Sequence, residues 1–335
     1  MSEFIELLVR CMLKLIYKIP ILLMILSCSR ENVFEPNNNG LPPNQPVGLR
    51  FYFAHDGEIG FEWTKNQYDV VDHYNIYRGI NDSINLNMLD KTTNNYFEDY
   101  YLHYDSTYNY AVAAVNKFGL ESPRSKTIST KPINKYKPYP PYQISINAQN
   151  WLDTLSVKLS WYPSYDTDIK GYIIYRDTTT LFDLKTLPPL GFTNKNYFVD
   201  TNHLKILKMY YYKIIAVDNG DLTSSSTFYV SDMIYDRPQP VFPTNNSQVK
   251  NFTEFEFRSI SFPAKYKLVI QRNKLFDVIY QKEFSITKIN SNIKVTISPV
   301  SLELFKNYYW RIITYSNEKL EPNSFSDLNC FSLIP

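Results

Sequence analysis

The residues able to do chemistry are few and badly spaced for it. The four histidines are His55, His73, His103 and His203, and none forms an HxH or HExxH ligand pair. His55-Asp56-Gly57-Glu58 has the types for a metal or acid–base site, but Asp-Gly supplies the positive φ of a tight hairpin turn, and a turn is expected. Asp166-Thr167-Asp168 and Asp218-Asn219-Gly220-Asp221 carry oxygen ligands suited to calcium without the twelve-residue spacing of an EF-hand, so solvated loops are expected. The three cysteines, Cys11, Cys28 and Cys330, are too few and too far apart for a disulfide framework or a CxxC zinc site. Cys330 is expected as a small buried hydrophobe on the last strand. There is no Gly-Xaa-Ser-Xaa-Gly elbow, phosphate-cradling loop or dinucleotide fingerprint, and only 9 glycines in 335 residues to build one. Paired carboxylates meeting only in space stay open. The expectation is a protein that is not an enzyme, with no cofactor and no metal.

Composition points to the elements that would carry any site. Tyr 29 and Phe 21 against 9 Gly favour pleated, half-buried strands, with Asn, Asp and Pro making the turns. The net charge is +2. Removing residues 1–27 takes three basic and two acidic residues and leaves +1, with no basic run, which argues against nucleic acid.

The N-terminus is an address. Lys14 and Lys18 precede the apolar run Ile19–Leu26, which ends in Ser27 before Cys28. That run is shorter than the roughly 20 residues a membrane-spanning helix needs. Ile25-Leu26-Ser27-Cys28 resembles the lipobox of bacterial lipoproteins. The resemblance implies cleavage before Cys28, acylation of that cysteine and attachment to a membrane of the cell envelope, facing periplasm or exterior. A signal or anchor without lipid is the alternative. Residues 28–45, rich in Asn and Pro, read as a flexible tether.

Beyond the tether the chain repeats. Phe61-Glu62-Trp63 recurs as Leu159-Ser160-Trp161, and Tyr74-Asn75-Ile76-Tyr77-Arg78 as Tyr172-Ile173-Ile174-Tyr175-Arg176. Asn95–Asp99 recurs as Asn196–Asp200, and Tyr108–Val115 as Tyr210–Val217. Each segment alternates apolar and polar residues, the period of a half-buried strand, so an all-β fold of small two-sheet sandwiches is expected. These motifs, with the proline-rich leads at Pro46 and Pro138, resemble fibronectin type III domains, an immunoglobulin-like β-sandwich family. The resemblance implies a tyrosine corner at Tyr108 and Tyr210, and Trp63 and Trp161 as core residues. The expected units are 46–132, 138–236 and a divergent 237–335. In the last, Phe255-Glu256-Phe257 replaces the Trp strand, followed by Tyr266–Ile270 and Tyr308–Thr314.

In that family loops at the sandwich ends often recognise partners. The corresponding loops are Lys65–Asp72, Lys117–Ser122, Tyr162–Lys170 and Asp218–Ser226, and their aromatics Tyr68, Phe118 and Tyr165 are the candidate contacts. Three readings of function stay open: a membrane-anchored protein-binding, adhesion or spacer protein; a carbohydrate- or cell-wall-binding module, which needs coplanar exposed aromatics; and an accessory subunit of an envelope complex. The partner is accordingly a protein or polysaccharide.

Overall fold

The computed structural model describes residues 40–335 except 68–69, 153, 182, 251–252, 276, 299–300 and 317–318. Every regular element among them is a β-strand. The first seven are β1 (Val47–His55), β2 (Glu58–Thr64), β3 (His73–Ile80), β4 (Asn87–Thr92), β5 (Tyr96–Asp99), β6 (Tyr108–Val115) and β7 (Ile128–Thr130). They form two sheets, β1-β2-β5 and β4-β3-β6-β7. Period-two alternation decides what lies between them: Ile59, Phe61 and Trp63 from β2 meet Tyr74 and Ile76 from β3 and Tyr108, Tyr110 and Val112 from β6. The β1–β2 hairpin turns on Asp56 (φ 51) and Gly57 (φ 74), two consecutive left-handed residues as a two-residue turn of this twist requires.

The second unit repeats the plan with β8 (Tyr142–Trp151), β9 (Thr154–Tyr162), β10 (Ile169–Asp177), β11 (Gly191–Thr193), β12 (Tyr197–Asp200), β13 (Met209–Asp218) and β14 (Val230–Met233). Its sheets run β12-β9-β8 and β11-β10-β13-β14, and its core is the same set shifted along the chain: Val157, Leu159, Trp161, Tyr172, Ile174, Tyr210, Tyr212 and Ile214. Three strands facing four in this order is the fibronectin type III arrangement, here occurring twice.

The third unit holds β15 (Gln239–Phe242), β16 (Ser247–Val249), β17 (Glu254–Arg258), β18 (Ala264–Gln271), β19 (Val278–Ile286), β20 (Asn292–Thr296), β21 (Asn307–Tyr315), β22 (Ser324–Phe325) and β23 (Asn329–Leu333). Sheet β15-β17-β20 faces the sheet containing β21, β18 and β19, around a separate core of Phe255, Phe257, Tyr266, Leu268, Trp310 and Phe331.

Two hydroxyl bonds recur in all three units and explain the spacing of the tyrosines. Tyr108, Tyr210 and Tyr308 each accept a backbone amide five residues earlier, from His103 (2.8 Å), Lys205 (2.8 Å) and Glu303 (2.9 Å), pinning the loop that enters the strand. Tyr74, Tyr172 and Tyr266 accept the amides of Asn66, Ser164 and Ile260 at the end of the preceding strand. Trp63 and Trp161 pack edge-on against Tyr74 and Tyr172 at 5.1 and 5.2 Å. Such a pair contributes about 0.5–1.5 kcal/mol beyond burial, and both indoles are core residues. Cys330 lies on β23, but only half-buried: the core-facing positions of that strand are Phe331 and Leu333, so the cysteine falls on the opposite face.

The two joints differ. Eleven residues, 131–141, separate β7 from β8. Between the second and third units there is no free linker: Ile234 belongs to the second core and its neighbour Tyr235 to the third. There β22 pairs with β8 in parallel at Ser324 and Asn150, so β12-β9-β8 of one unit and β22-β21-β18-β19 of the next lie in one continuous sheet.

Candidate functional site

The buried polar groups that look most like catalytic residues are structural. Arg78 holds Asp99 (2.8 Å), which also accepts the Tyr110 hydroxyl (2.7 Å). Arg176, Asp200 and Tyr212 repeat this at 2.6 and 2.7 Å. Burial, then the neighbouring carboxylate, pushes both tyrosine hydroxyls well above their ordinary range, so neither is a source of protons or a nucleophile near neutrality. In the third unit Trp310 takes the place of that tyrosine and its indole donates to the Pro243 carbonyl at 3.1 Å. The triad there is replaced, not lost to solvent. Among the described residues no group of three or more His, Cys, Asp or Glu side chains is disposed to hold a metal ion.

In the first two units the β6–β7 and β13–β14 connections are braced by an Asx device. Asn116 Oδ1 accepts the amides of Phe118 and Leu120 at 3.0 Å, while its Nδ2 reaches back to the Leu41 carbonyl at 2.8 Å. With that backbone fixed, the Phe118 ring projects outward, 59% exposed, with the Lys117 ammonium 5.2 Å over it. Asp218 repeats the device on Gly220 and Leu222 (2.9 and 2.8 Å), and Asn134 of the inter-unit segment completes it at 3.0 Å.

The position in the chain decides what these loops touch. In the first unit Asn66 and Asn116 reach the lead segment, at the carbonyls of Asn44 and Leu41. In the second, the equivalent loops pack against the first unit: Thr167 donates to Glu58 at 2.8 Å and Tyr104 donates to Asp168. Much of the Tyr162–Lys170 loop is therefore engaged in the joint. Tyr165 is not. It is 76% exposed and stacks on Tyr142 at 5.0 Å and 14°, and Tyr142 stacks on Tyr162 at 5.5 Å and 24°. The three rings make a column on the second unit. Its members face one another, so only the end rings turn a free face to solvent. Burial and the Tyr165 hydrogen bond combine on Tyr142, the bond first, to hold its hydroxyl above the ordinary phenol range.

The structure thus places Phe118 on the first unit and Tyr165 on the second, in separate surroundings. Tyr68 and Cys28 lie outside the described residues. Two features escaped sequence reasoning. Tyr142 and Tyr162 face each other only because a bulge slips the β8–β9 register between Ser145 and Tyr142, which counting back from the turn does not give. On the outer face of the first unit, Tyr52 (2.8 Å) and Tyr100 both donate to Glu98. This meeting depends on Gly60: a Cβ there would lie 2.6 Å from the Tyr52 ring, so only glycine lets the ring cross the sheet.

No family model and no curated protein matches this sequence. Among solved structures it is similar to the crystal structure of the chicken CNTN1 FN1-FN3 domains, at 12% identity and a TM-score of 0.36, over 86% of this chain and 97% of that one. The assignment of the fold rests on the strand order and the repeated hydroxyl bonds.

Proposed function

We propose that this chain is a non-enzymatic, lipid-anchored envelope protein whose stacked sandwiches hold protein-binding surfaces away from the membrane. The observation that carries the reading is the engagement of the sandwich ends. The second unit's loops are packed on the first, and the third unit joins the second through a shared sheet, so the domains support one another's positions. Phe118, on backbone braced by Asn116, and Tyr165, stacked on Tyr142, are left as exposed aromatic contacts, and such held rings recognise a partner at low entropic cost. Acylation at Cys28 would supply the attachment, and the 12 residues Ser29–Gly40, ahead of the lead segment bonded to the first unit, reach at most about 40 Å when fully extended. A protein partner is favoured over a polysaccharide because the tyrosine column stacks on itself in place of offering a coplanar platform.

The test is capture from the native envelope with the wild-type chain and the double variant Phe118→Ala, Tyr165→Ala. The expected result is loss of the captured partner by the variant at unchanged thermal stability. Undiminished capture removes these rings from the binding surface. In parallel, a fatty-acid analogue should label the wild type and not Cys28→Ala; label retained by the mutant ends the anchor assignment.

A further inference from the structure

The two acidic loops of the second unit meet at its joint with the first. Asp168 is 3% exposed, and its Cβ lies only 2.8 Å from where a side chain on Gly57 would begin, so it is pressed against the β1–β2 turn of the first unit. Tyr104 of that unit donates its hydroxyl to Asp168 Oδ2. Asp218 is fully buried beside it. Its Oδ1 takes the amides of Gly220 and Leu222 and the Asn134 side chain, while its Oδ2 has no donor. The first unit has Asn116 at the corresponding place, a neutral side chain that can donate as well as accept.

The other charged groups of the joint are already committed. Asp56 accepts the amides of Lys135 and Tyr136 (2.7 and 2.9 Å) and bonds His55 at 3.0 Å. Glu58 takes the Thr167 hydroxyl, and Asp166 takes the Ser164 hydroxyl and the Tyr139 amide. Of the cations, Lys135 lies 4.6 Å over the Tyr136 ring and Lys170 pairs with Asp221 at 2.6 Å. Among the described residues none forms an ion pair with Asp168.

We propose that this joint is a proton-operated clasp, closed when Asp168 is protonated and loosened when it is ionised. Closure buries the carboxyl against Gly57 and Tyr104 and sets it near the Asp218 charge; opening returns it to water. Burial first, and Asp218 next among the raising causes, lift its pKa to about 6, the Tyr104 hydrogen bond opposing them only in part. In the open joint the ordinary value of about 3.9 applies. The closed form therefore holds the proton more tightly. Closure strengthens as pH falls from about 6 towards 4 and weakens as pH rises through 6. A difference of about two pKa units corresponds to roughly a hundredfold change in the closed-to-open ratio.

The test is small-angle scattering of the whole chain at pH 4.5 and pH 7.5, with the wild type, Asp168→Asn and Tyr104→Phe. The wild type should show a narrow size distribution at pH 4.5 and a broader one at 7.5. Asp168→Asn, which keeps the shape and removes the charge, should stay narrow at both. Tyr104→Phe removes the bond that favours the anion, so its transition should move to higher pH. Identical wild-type profiles at the two pH values overturn the proposal. So does a pH response that persists in Asp168→Asn, because another carboxylate would then be responsible.

Discussion

Asp200 shows what a single side chain carries in these sandwiches. It is 1% exposed, yet it serves Arg176 at 2.6 Å, the Tyr212 hydroxyl at 2.7 Å and the Asn202 amide at 2.9 Å. A buried pair of this kind is stabilising only as a complete set, since each charge is expensive to hold without the other. Removing the acid leaves Arg176, 19% exposed, without its carboxylate. Asp200→Ala should lower stability by about 3–5 kcal/mol, read as a shift in the denaturant midpoint of the transition that unfolds the second unit together with the third, at unchanged slope. A shift below about 1 kcal/mol would mean that the set is no more than a surface-type pair. The triad also explains why the Tyr-Arg dipeptide recurs at Tyr77-Arg78 and Tyr175-Arg176: the arginine side chain leads to the acid that the sixth strand's tyrosine also needs.

At the scale of the element, strands and their facing were legible because period-two patterning is local. β2, β9 and β17 place Phe61 and Trp63, Leu159 and Trp161, and Phe255 and Phe257 inward, as alternation requires. The tyrosine corners at Tyr108 and Tyr210 were legible as well, through family resemblance. The third corner, at Tyr308, was not, because the Tyr-Xaa-Tyr context is broken by Trp310. What the sequence could not reveal depends on register and on contacts between units. The bulge before Tyr142, the crossing of Tyr52 over Gly60 and the meeting of Asp168 with Tyr104 each require pairs 8 to 64 residues apart to be placed within a few ångströms. The third corner supplies a test. The Tyr308 hydroxyl accepts the Glu303 amide at 2.9 Å, and no other acceptor for that amide is part of the motif. Tyr308→Phe leaves the ring in the core and removes only the acceptor of a part-buried bond, so the third unit should lose about 0.5–1.5 kcal/mol. Heat or denaturant unfolding of this variant beside the wild type measures it, and an unchanged midpoint would show that the bond contributes nothing.

The whole molecule is organised by the contrast between its joints. The first joins the units by loops, hydroxyls and carboxylates around an eleven-residue segment, whose Ile133 pairs by backbone with the β1–β2 hairpin of the first unit (Asp56 amide to Ile133 carbonyl, 2.9 Å). The second is made by backbone. Asn150 donates its amide to the Asn323 carbonyl at 2.6 Å, and the two asparagines are almost wholly buried. The Asn323 side chain accepts the Tyr235 amide (2.8 Å) and donates to the Met233 carbonyl (2.8 Å), while Asn150 Nδ2 donates to the Tyr235 carbonyl at 3.0 Å. Trp151 packs on Phe325 at 4.1 Å beside them. With Ile234 fixed in one core and Tyr235 in the next, neither sandwich can turn without breaking this set, so the second and third units should move and unfold as one body. Asn323→Ala removes both bonds made by that side chain and leaves the buried Tyr235 amide without its acceptor, at a cost of about 1–3 kcal/mol. The wild type should therefore show one cooperative transition for the two units together, and the variant should separate them. Hydrogen exchange reads this directly: the amides of Asn150 and Tyr235 should exchange with the global unfolding rate in the wild type and much faster in the variant. Equal protection in the two chains would show that the paired backbone alone holds the joint, independent of the asparagine side chain.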